Sequence, residues 1–222
     1  MKLLLVGYGK MGHLVDELAR EQQIDVVGRI DEGVGEWAGA DVAIDFSTAD
    51  ALAVNFPRYV ERRLPVVIGT TGWAGQAAAY QADAARAGLG VVASANFSIG
   101  VNIFEMLVAE AAKLMQAQSA YGAWIYEQHH AAKRDAPSGT ALLLRDAMTA
   151  AGFARVIDMA STRAGFIPGM HSVGFDGPSD TIELTHAARD RRGFASGALL
   201  AARWIQGRAG WYSMRDVLAG TP

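Results

Sequence analysis

The sequence predicts an α/β chain in two units: a parallel-sheet nucleotide domain, then an α+β unit of different rhythm. Two observations predict it. Short apolar runs at 2–6, 24–30, 42–46, 65–68 and 89–93 alternate with Ala- and Gln-rich stretches of helical spacing, the pattern of a parallel sheet covered on both faces. After Asn96 that alternation stops, and longer elements with polar clusters replace it.

The first run leads into GYGKMG, after which Met11, Leu14, Val15 and Leu18 recur one helical turn apart, so strand, glycine turn and helix follow in order. Gly7, Gly9 and Gly12 satisfy GxGxxG directly after a strand, which makes the domain Rossmann-like. The first glycine permits the tight turn, the second lets a phosphate approach the backbone, and the third brings helix and strand together. Asp31 ends the second strand about 20 residues downstream, placed to accept hydrogen bonds from an adenosine ribose, with Glu32 beside it opposing a 2′-phosphate. NADH is therefore the expected cofactor. Arg29 and Lys10 leave NADPH open. DFST at 45–48 and GTTG at 69–72 follow the third and fourth strands, where a parallel sheet presents its carboxyl edge to a ligand; a purely structural turn explains GTTG equally well.

In the second unit a helix is expected over 101–116 and a strand over 121–128 that ends at two adjacent histidines. A helix over 137–150 would take Pro137 in its first turn, and strands at 173–175 and 181–187 flank the turn DGPSD. Helical spacing returns over 194–206. The break between units falls near 96–100.

Composition narrows the function. The 222 residues are 51% hydrophobic and 19% charged, ordinary for a folded protein. Twenty Lys and Arg against 23 Asp and Glu leave a charge of -3, which supplies no long-range pull toward nucleic acid or anionic lipid. Cysteine is absent, so there is no disulfide, thiolate nucleophile or sulfur-ligated metal, and a reducing compartment fits. The first apolar run is interrupted by Gly7 and Lys10 too soon for a signal peptide or membrane core, and the cytoplasm is the expected location.

The segment EQHHAAKRDAPSGTA, 127–141, carries the chemistry. Imidazole exchanges protons near neutral pH, so His129 and His130 suit proton transfer or hydrogen bonding, and Lys133 four positions on can neutralise an anion. Metal is the poorer account, because adjacent histidines lack the HxxxH spacing of a helical zinc pair and no cysteine completes a shell; Glu127 and Asp135 keep it in view. Ser138, Gly139 and Thr140 open a helix, either as a carboxylate-binding nest of backbone N–H groups or as a simple N-cap.

These motifs, with ANFSIGVN at 95–102 and HAARDRRGFASGA at 186–198, resemble the dihydrodipicolinate reductase family over nearly the whole chain. The resemblance implies a dinucleotide-binding domain at 1–98, completed by a returning segment at 195–222, and a substrate-binding and oligomerisation domain at 99–194. It implies reduction of a cyclic imine dicarboxylate derived from 4-hydroxy-tetrahydrodipicolinate to 2,3,4,5-tetrahydrodipicolinate, with hydride to ring carbon four and a proton to carbon three. Gly7, Gly9, Lys10, Met11 and Gly12 would surround the dinucleotide phosphates. Asp31 would meet the ribose, and Phe46, Gly69, Thr71, Ser94, Asn96 and Phe97 would line the nicotinamide side. Lys133 matches the family's proton donor and His129 its proton-transfer histidine, while His130, Ser138, Gly139, Thr140 and Arg191 match the substrate pocket. Homotetramers are common in the family. Two departures stand out: a short connection from Asp31 to Asp41, and Ala95 where proline is usual. A cofactor-binding sensor without turnover, and a reductase of another cyclic imine or oxo acid, are the competing readings.

Overall fold

The leucine-rich start is apolar without alternation because both faces of its strand are covered. In this computed structural model, which describes residues 1–37 and 39–220, β1 (Lys2–Val6) points Leu3 and Leu5 into one core and Leu4 and Val6 into another. A glycine turn leads to α1 (Lys10–Glu21), then β2 (Asp25–Ile30), β3 (Val42–Asp45), α2 (Ala49–Arg62) and β4 (Val66–Ile68). A short 3₁₀ turn (Ala74–Gln76) runs into α3 (Ala77–Ala87) before β5 (Gly90–Ala93). The strands pair in parallel in the order β5-β4-β3-β1-β2. Because β1 lies between β2 and β3, the chain steps away from it in both directions, and the carboxyl ends of β1 and β3 form the sheet's switch point, the usual place for a ligand.

The second unit is built from α4 (Ile99–Met115), β6 (Gly122–His129), α5 (Gly139–Ala150), β7 (Ile157–Arg163), β8 (Met170–Asp176) and β9 (Thr181–Ala187). Its sheet runs β7-β6-β8-β9, with β6 and β7 parallel and the other neighbours antiparallel. Ala123 and Ile125 of β6 and Val173 and Phe175 of β8 pack against Phe104 and Val108 of α4 and Leu144 and Met148 of α5. Residues two apart share a face, so Glu127, His129 and His171 continue these core-facing rows.

The chain then returns. α6 (Arg192–Trp204) presents Ala195, Ala198, Ala201 and Ala202 to the core that contains Leu3 and Leu5, and β10 (Gly210–Tyr212) pairs in parallel with β5. Ser213 and Asp216 close a capping box on α7 (Met214–Ala219). The compact units are Met1–Ile99 with Arg192–Pro222, and Gly100–Arg191; Thr221 and Pro222, the end of the expected returning segment, lie outside the described residues.

Several expectations change. β7, β10 and α7 are additional to the elements read from the sequence, and β8 is longer than 173–175. β7 escapes the hydrophobic pattern because Asp158, Ser161, Thr162 and Arg163 make up more than half of it. Pro137 does not enter the helix: it follows a cis peptide bond from Ala136 and precedes the N-cap Ser138.

Small residues let α6 approach closely. A Cβ at Gly197 would stand 1.8 Å from the Phe97 carbonyl oxygen, a backbone atom that cannot swing aside. Gly197→Ala should therefore lower stability by about 1–3 kcal/mol through overpacking. Gly75→Ala, with nothing within 4 Å of the new methyl, should stay within about 0.5 kcal/mol. Chemical denaturation of both variants checks the contrast.

Candidate active site

Each unit carries its own constellation. On the first, Gly7 adopts φ +82, and a Cβ there would lie 2.5 Å from Phe46 and Ser47 backbone atoms, so the turn after β1 is pressed against the end of β3. A Cβ at Gly12 would be 2.3 Å from the Gly7 carbonyl oxygen, whereas one at Gly9 meets nothing within 4 Å. Gly9 also caps α1 without a side chain. Open space therefore stands over the first-turn N–H groups, where Lys10 and Met11 begin the helix. A cavity of ≈360 Å³ adjoins them, bounded by Gly7, Gly9, Asp31 and Phe46 among others.

Asp31 directly follows β2 and is held by the Tyr8 N–H, 3.2 Å from its Oδ1. Behind it lies a second acid, Asp16, buried on α1. The Arg29 guanidinium holds both its oxygens, at 2.9 and 2.7 Å, and Arg20 and the Tyr8 hydroxyl add further bonds. The Arg29 hydrogen bonds are the main reason its pKa falls to about 2. Arg29, one of two cations considered for a 2′-phosphate, is thus committed to Asp16.

The hydroxyls at the other strand ends are also largely spent. Asp45 is fully buried and accepts from Ser47, Thr70 and Tyr59, while Thr48 caps α2. Gly69 is required beside the Phe46 ring, which a Cβ would approach to 2.0 Å. Thr71 and Ser94 line a separate cavity of ≈350 Å³ with Trp73 and Trp211. Asn96 accepts the Ser98 N–H in a tight turn. The Phe97 side chain belongs to the core, so any ligand contact it makes comes from its backbone.

On the second unit the centre is Glu127. Strand register sets it opposite Ser161 on β7 and His171 on β8. Its Oε1 accepts the Ser138 N–H at 2.9 Å, the Ser161 hydroxyl at 2.7 Å and Arg163 Nη2 at 2.7 Å. Burial would push its pKa up, but hydrogen bonds from Ser138, Arg163 and Ser161 outweigh that and hold it at about 2. Its Oε2 faces His129 Nδ1 at 3.5 Å and His171 Nε2 at 3.4 Å. Those three ligand atoms could in principle share a metal ion, but their spacing is equally that of hydrogen-bonding neighbours.

Arg163 also binds the Asp135 carbonyl at 2.6 Å, and the Asp135 carboxylate holds Lys133 Nζ at 2.8 and 2.9 Å. A chain of contacts thus runs from Glu127 through Arg163 to the lysine. Ser138 is buried; its hydroxyl caps α5 by accepting the Ala141 N–H and also meets His171 Nε2 at 3.1 Å. At the helix start, exposed Gly139 has room for a side chain on its Cα and turns its N–H to the Asp135 carboxylate, and Thr140 is half-buried. His130 is half-buried and Arg191 exposed. Arg192 is instead clamped to Glu17 and Glu21 of α1.

Comparison with known proteins places this geometry. The model of the dihydrodipicolinate reductase C-terminus matches residues 100–218, and that of the N-terminus residues 35–97. The chain belongs to the dihydrodipicolinate reductase family. The 4-hydroxy-tetrahydrodipicolinate reductase of Christiangramia forsetii is 33% identical over 234 residues, spanning 99% of this chain and 98% of its own. That of Anaeromyxobacter sp. is 42% identical over 212 residues, covering 86% and 78%. Among solved structures, dipicolinate-bound dihydrodipicolinate reductase from Paenisporosarcina sp. TG-14 superposes with TM-score 0.82 at 19% identity over 96% of this chain and 97% of that one. At that identity the likeness shows the two-domain fold alone.

Sequence reasoning singled out His129, Lys133 and the α5 start but missed Ser161, Arg163 and His171. The one available signal was Glu127 itself, an acid two residues from His129 on the core-facing row of its strand.

His171 gives this site a pH signature. Burial pulls its pKa from 6.5 down to about 4, so between those values the unfolded chain binds a proton that the folded chain does not. Unfolding free energy should fall as pH drops from 6.5 to 4, with a slope approaching ~1.4 kcal/mol per unit for this group. Glu127 contributes further loss only below its ordinary 4.5. In His171→Asn, denaturation across this range should show a flatter slope; an unchanged slope would contradict the assignment.

Proposed function

We propose that the chain is a 4-hydroxy-tetrahydrodipicolinate reductase, a nicotinamide-dependent enzyme of lysine and diaminopimelate biosynthesis that yields 2,3,4,5-tetrahydrodipicolinate. The observation that carries this reading is the grouping of His129, Lys133 and the start of α5 at Ser138 around one buried carboxylate, Glu127. The relatives that bear this activity's name match across most of the chain.

The first unit fits a dinucleotide, with open space over Gly9 and an α1 start that no side chain caps. A reduced nicotinamide bound there supplies the hydride. The chain's share is binding and proton handling. Gly7, Gly9 and the N–H groups of Lys10, Met11 and Gly12 hold the pyrophosphate at the positive end of α1. Asp31 takes the ribose. Its charge and that of Glu32 favour NADH, and the commitment of Arg29 to Asp16 supports that preference; exposed Lys10 leaves NADPH usable. Phe46, Gly69, Thr71, Ser94, Asn96 and the Phe97 backbone serve the nicotinamide side.

The substrate's two carboxylates need fixed donors, which spare the reorientation that water would require. Gly139 and Thr140 hold one, and His130 with Arg191 holds the other. Lys133, steered by Asp135, delivers the proton to ring carbon three, and His129 supports the charge that develops. Ser138 contributes by shaping the helix start rather than by exposed contact.

Assembly as a homotetramer through the second unit accords with exposed Ile103, Leu107 and Leu114 on one stripe of α4 and Ile182 on β9. The cytoplasm suits a chain without cysteine, and no helix among the described residues is long and apolar enough to cross a membrane.

The test is NADH oxidation by the purified protein in the presence of the imine dicarboxylate. Lys133→Ala and His129→Ala, with folding intact, should each lower turnover roughly 10–1000-fold, the proton-transfer range widened for lost positioning. Arg191→Ala should raise KM more than it lowers kcat, and kcat/KM should be higher with NADH than with NADPH. Cofactor binding without oxidation would identify a binding protein instead.

A further inference from the structure

We infer that Glu127 is a positioning residue that locks His129 in its Nδ1–H tautomer and leaves Nε2 with the lone pair. The inference deepens the reductase reading and rests on it for its kinetic consequence. Its basis is an imbalance between the two oxygens of one carboxylate. Oε1 is saturated by three donors: the Ser138 N–H, the Ser161 hydroxyl and Arg163 Nη2. Oε2 is buried and, like His129 Nδ1, meets no hydrogen bond of good geometry among the described residues.

These two orphaned atoms face each other across 3.5 Å. An ionised carboxylate can only accept, and a neutral imidazole has one donor nitrogen and one acceptor. A proton on Nδ1 satisfies both atoms after a closure of a few tenths of an ångström. A proton on Nε2 would set two lone pairs against each other in a buried space, so the carboxylate selects the tautomer. His171 shares the same oxygen without giving His129 Nδ1 a partner: its Nε2 lies 3.4 Å from Oε2 and 3.1 Å from the Ser138 hydroxyl, while its ring meets the His129 ring edge-on at a centroid distance of 5.0 Å. The opposite edge of His129 lies beside Gly169, where a Cβ would come within 3.2 Å of Nε2. The nitrogen left with the lone pair is therefore the one that no carboxylate faces.

Glu127→Gln separates charge and tautomer from packing. The three donors on Oε1 require the amide oxygen there, which puts the NH₂ in the place of Oε2, directed at Nδ1. Nδ1 must then accept, and the ring proton moves to Nε2. Glu127→Asp keeps a carboxylate.

Long-range proton–nitrogen NMR of the histidine rings at neutral pH reads this directly, with no substrate or cofactor added. The wild-type His129 should show Nδ1–H, the Gln variant Nε2–H, and the Asp variant Nδ1–H. Turnover in the Gln variant should drop roughly 10–1000-fold, within the range for a mispresented proton-transfer group, and the Asp variant should recover part of it. A wild-type ring with an unprotonated Nδ1, whether from the Nε2–H tautomer or from a resident metal ion, overturns the inference even if the Gln variant fails to fold. A folded Gln variant that keeps Nδ1–H also overturns it. Failure of the wild type to oxidise NADH with the imine would count against the reductase reading alone, because the tautomer is measured without turnover.

Discussion

A carboxylate deep in a protein is tolerated only if its oxygens are met by donors, and in the second unit this requirement organises everything around it. Glu127 draws an N–H from the start of α5, a hydroxyl and a guanidinium from β7, and the edges of histidines on β6 and β8. Each contact fixes an element that bears a proposed site residue. The Ser138 amide orients the helix start that offers Gly139 and Thr140. Arg163 carries the constraint onward to the Asp135 carbonyl and so to Lys133. Removing the acid would leave Arg163 and the histidines facing one another without an anion between them.

The first unit repeats this economy with different parts. Asp16 and Asp45 are buried posts whose oxygens are taken by neighbouring side chains. They brace the turns at the ends of β1, β2 and β3, while the surface above them is left to glycine, a helix start whose N-cap makes no side-chain hydrogen bond, and open space. Polar side chains that look ligand-directed in a motif, such as Ser47, Thr48 and Thr70, are used to build the edge. Arg29 illustrates the consequence, since its guanidinium is paired with both oxygens of Asp16.

Legibility followed the physics of each segment. The parallel sheet could be read because strands buried on both faces are apolar without interruption, and each is followed by a helix of clear spacing. The glycine turn could be read because Gly7 and Gly12 sit where backbone leaves no room for a side chain, while Gly9 borders open space. β7 could not, because the residues that meet Glu127 also remove its apolar signature: Ser161 and Arg163 turn toward an anion rather than toward oil. The same holds for His171, whose burial depends on a partner 44 positions earlier that no local pattern reveals. At Ser138 the sequence left a ligand nest and an N-cap open, and the hydroxyl serves as the cap of α5.

All of this requires Glu127 to be an anion in the folded protein at working pH. Carbon-13 NMR of the labelled side-chain carboxyls, followed from pH 8 down to about pH 4, measures that charge directly. The account predicts that the Glu127 carboxyl resonance stays in its ionised position throughout, because three donors hold its pKa near 2. A resonance that titrates within that range, at or above the ordinary glutamate value, would mean that the carboxyl is neutral where the site needs a charge, and would contradict it.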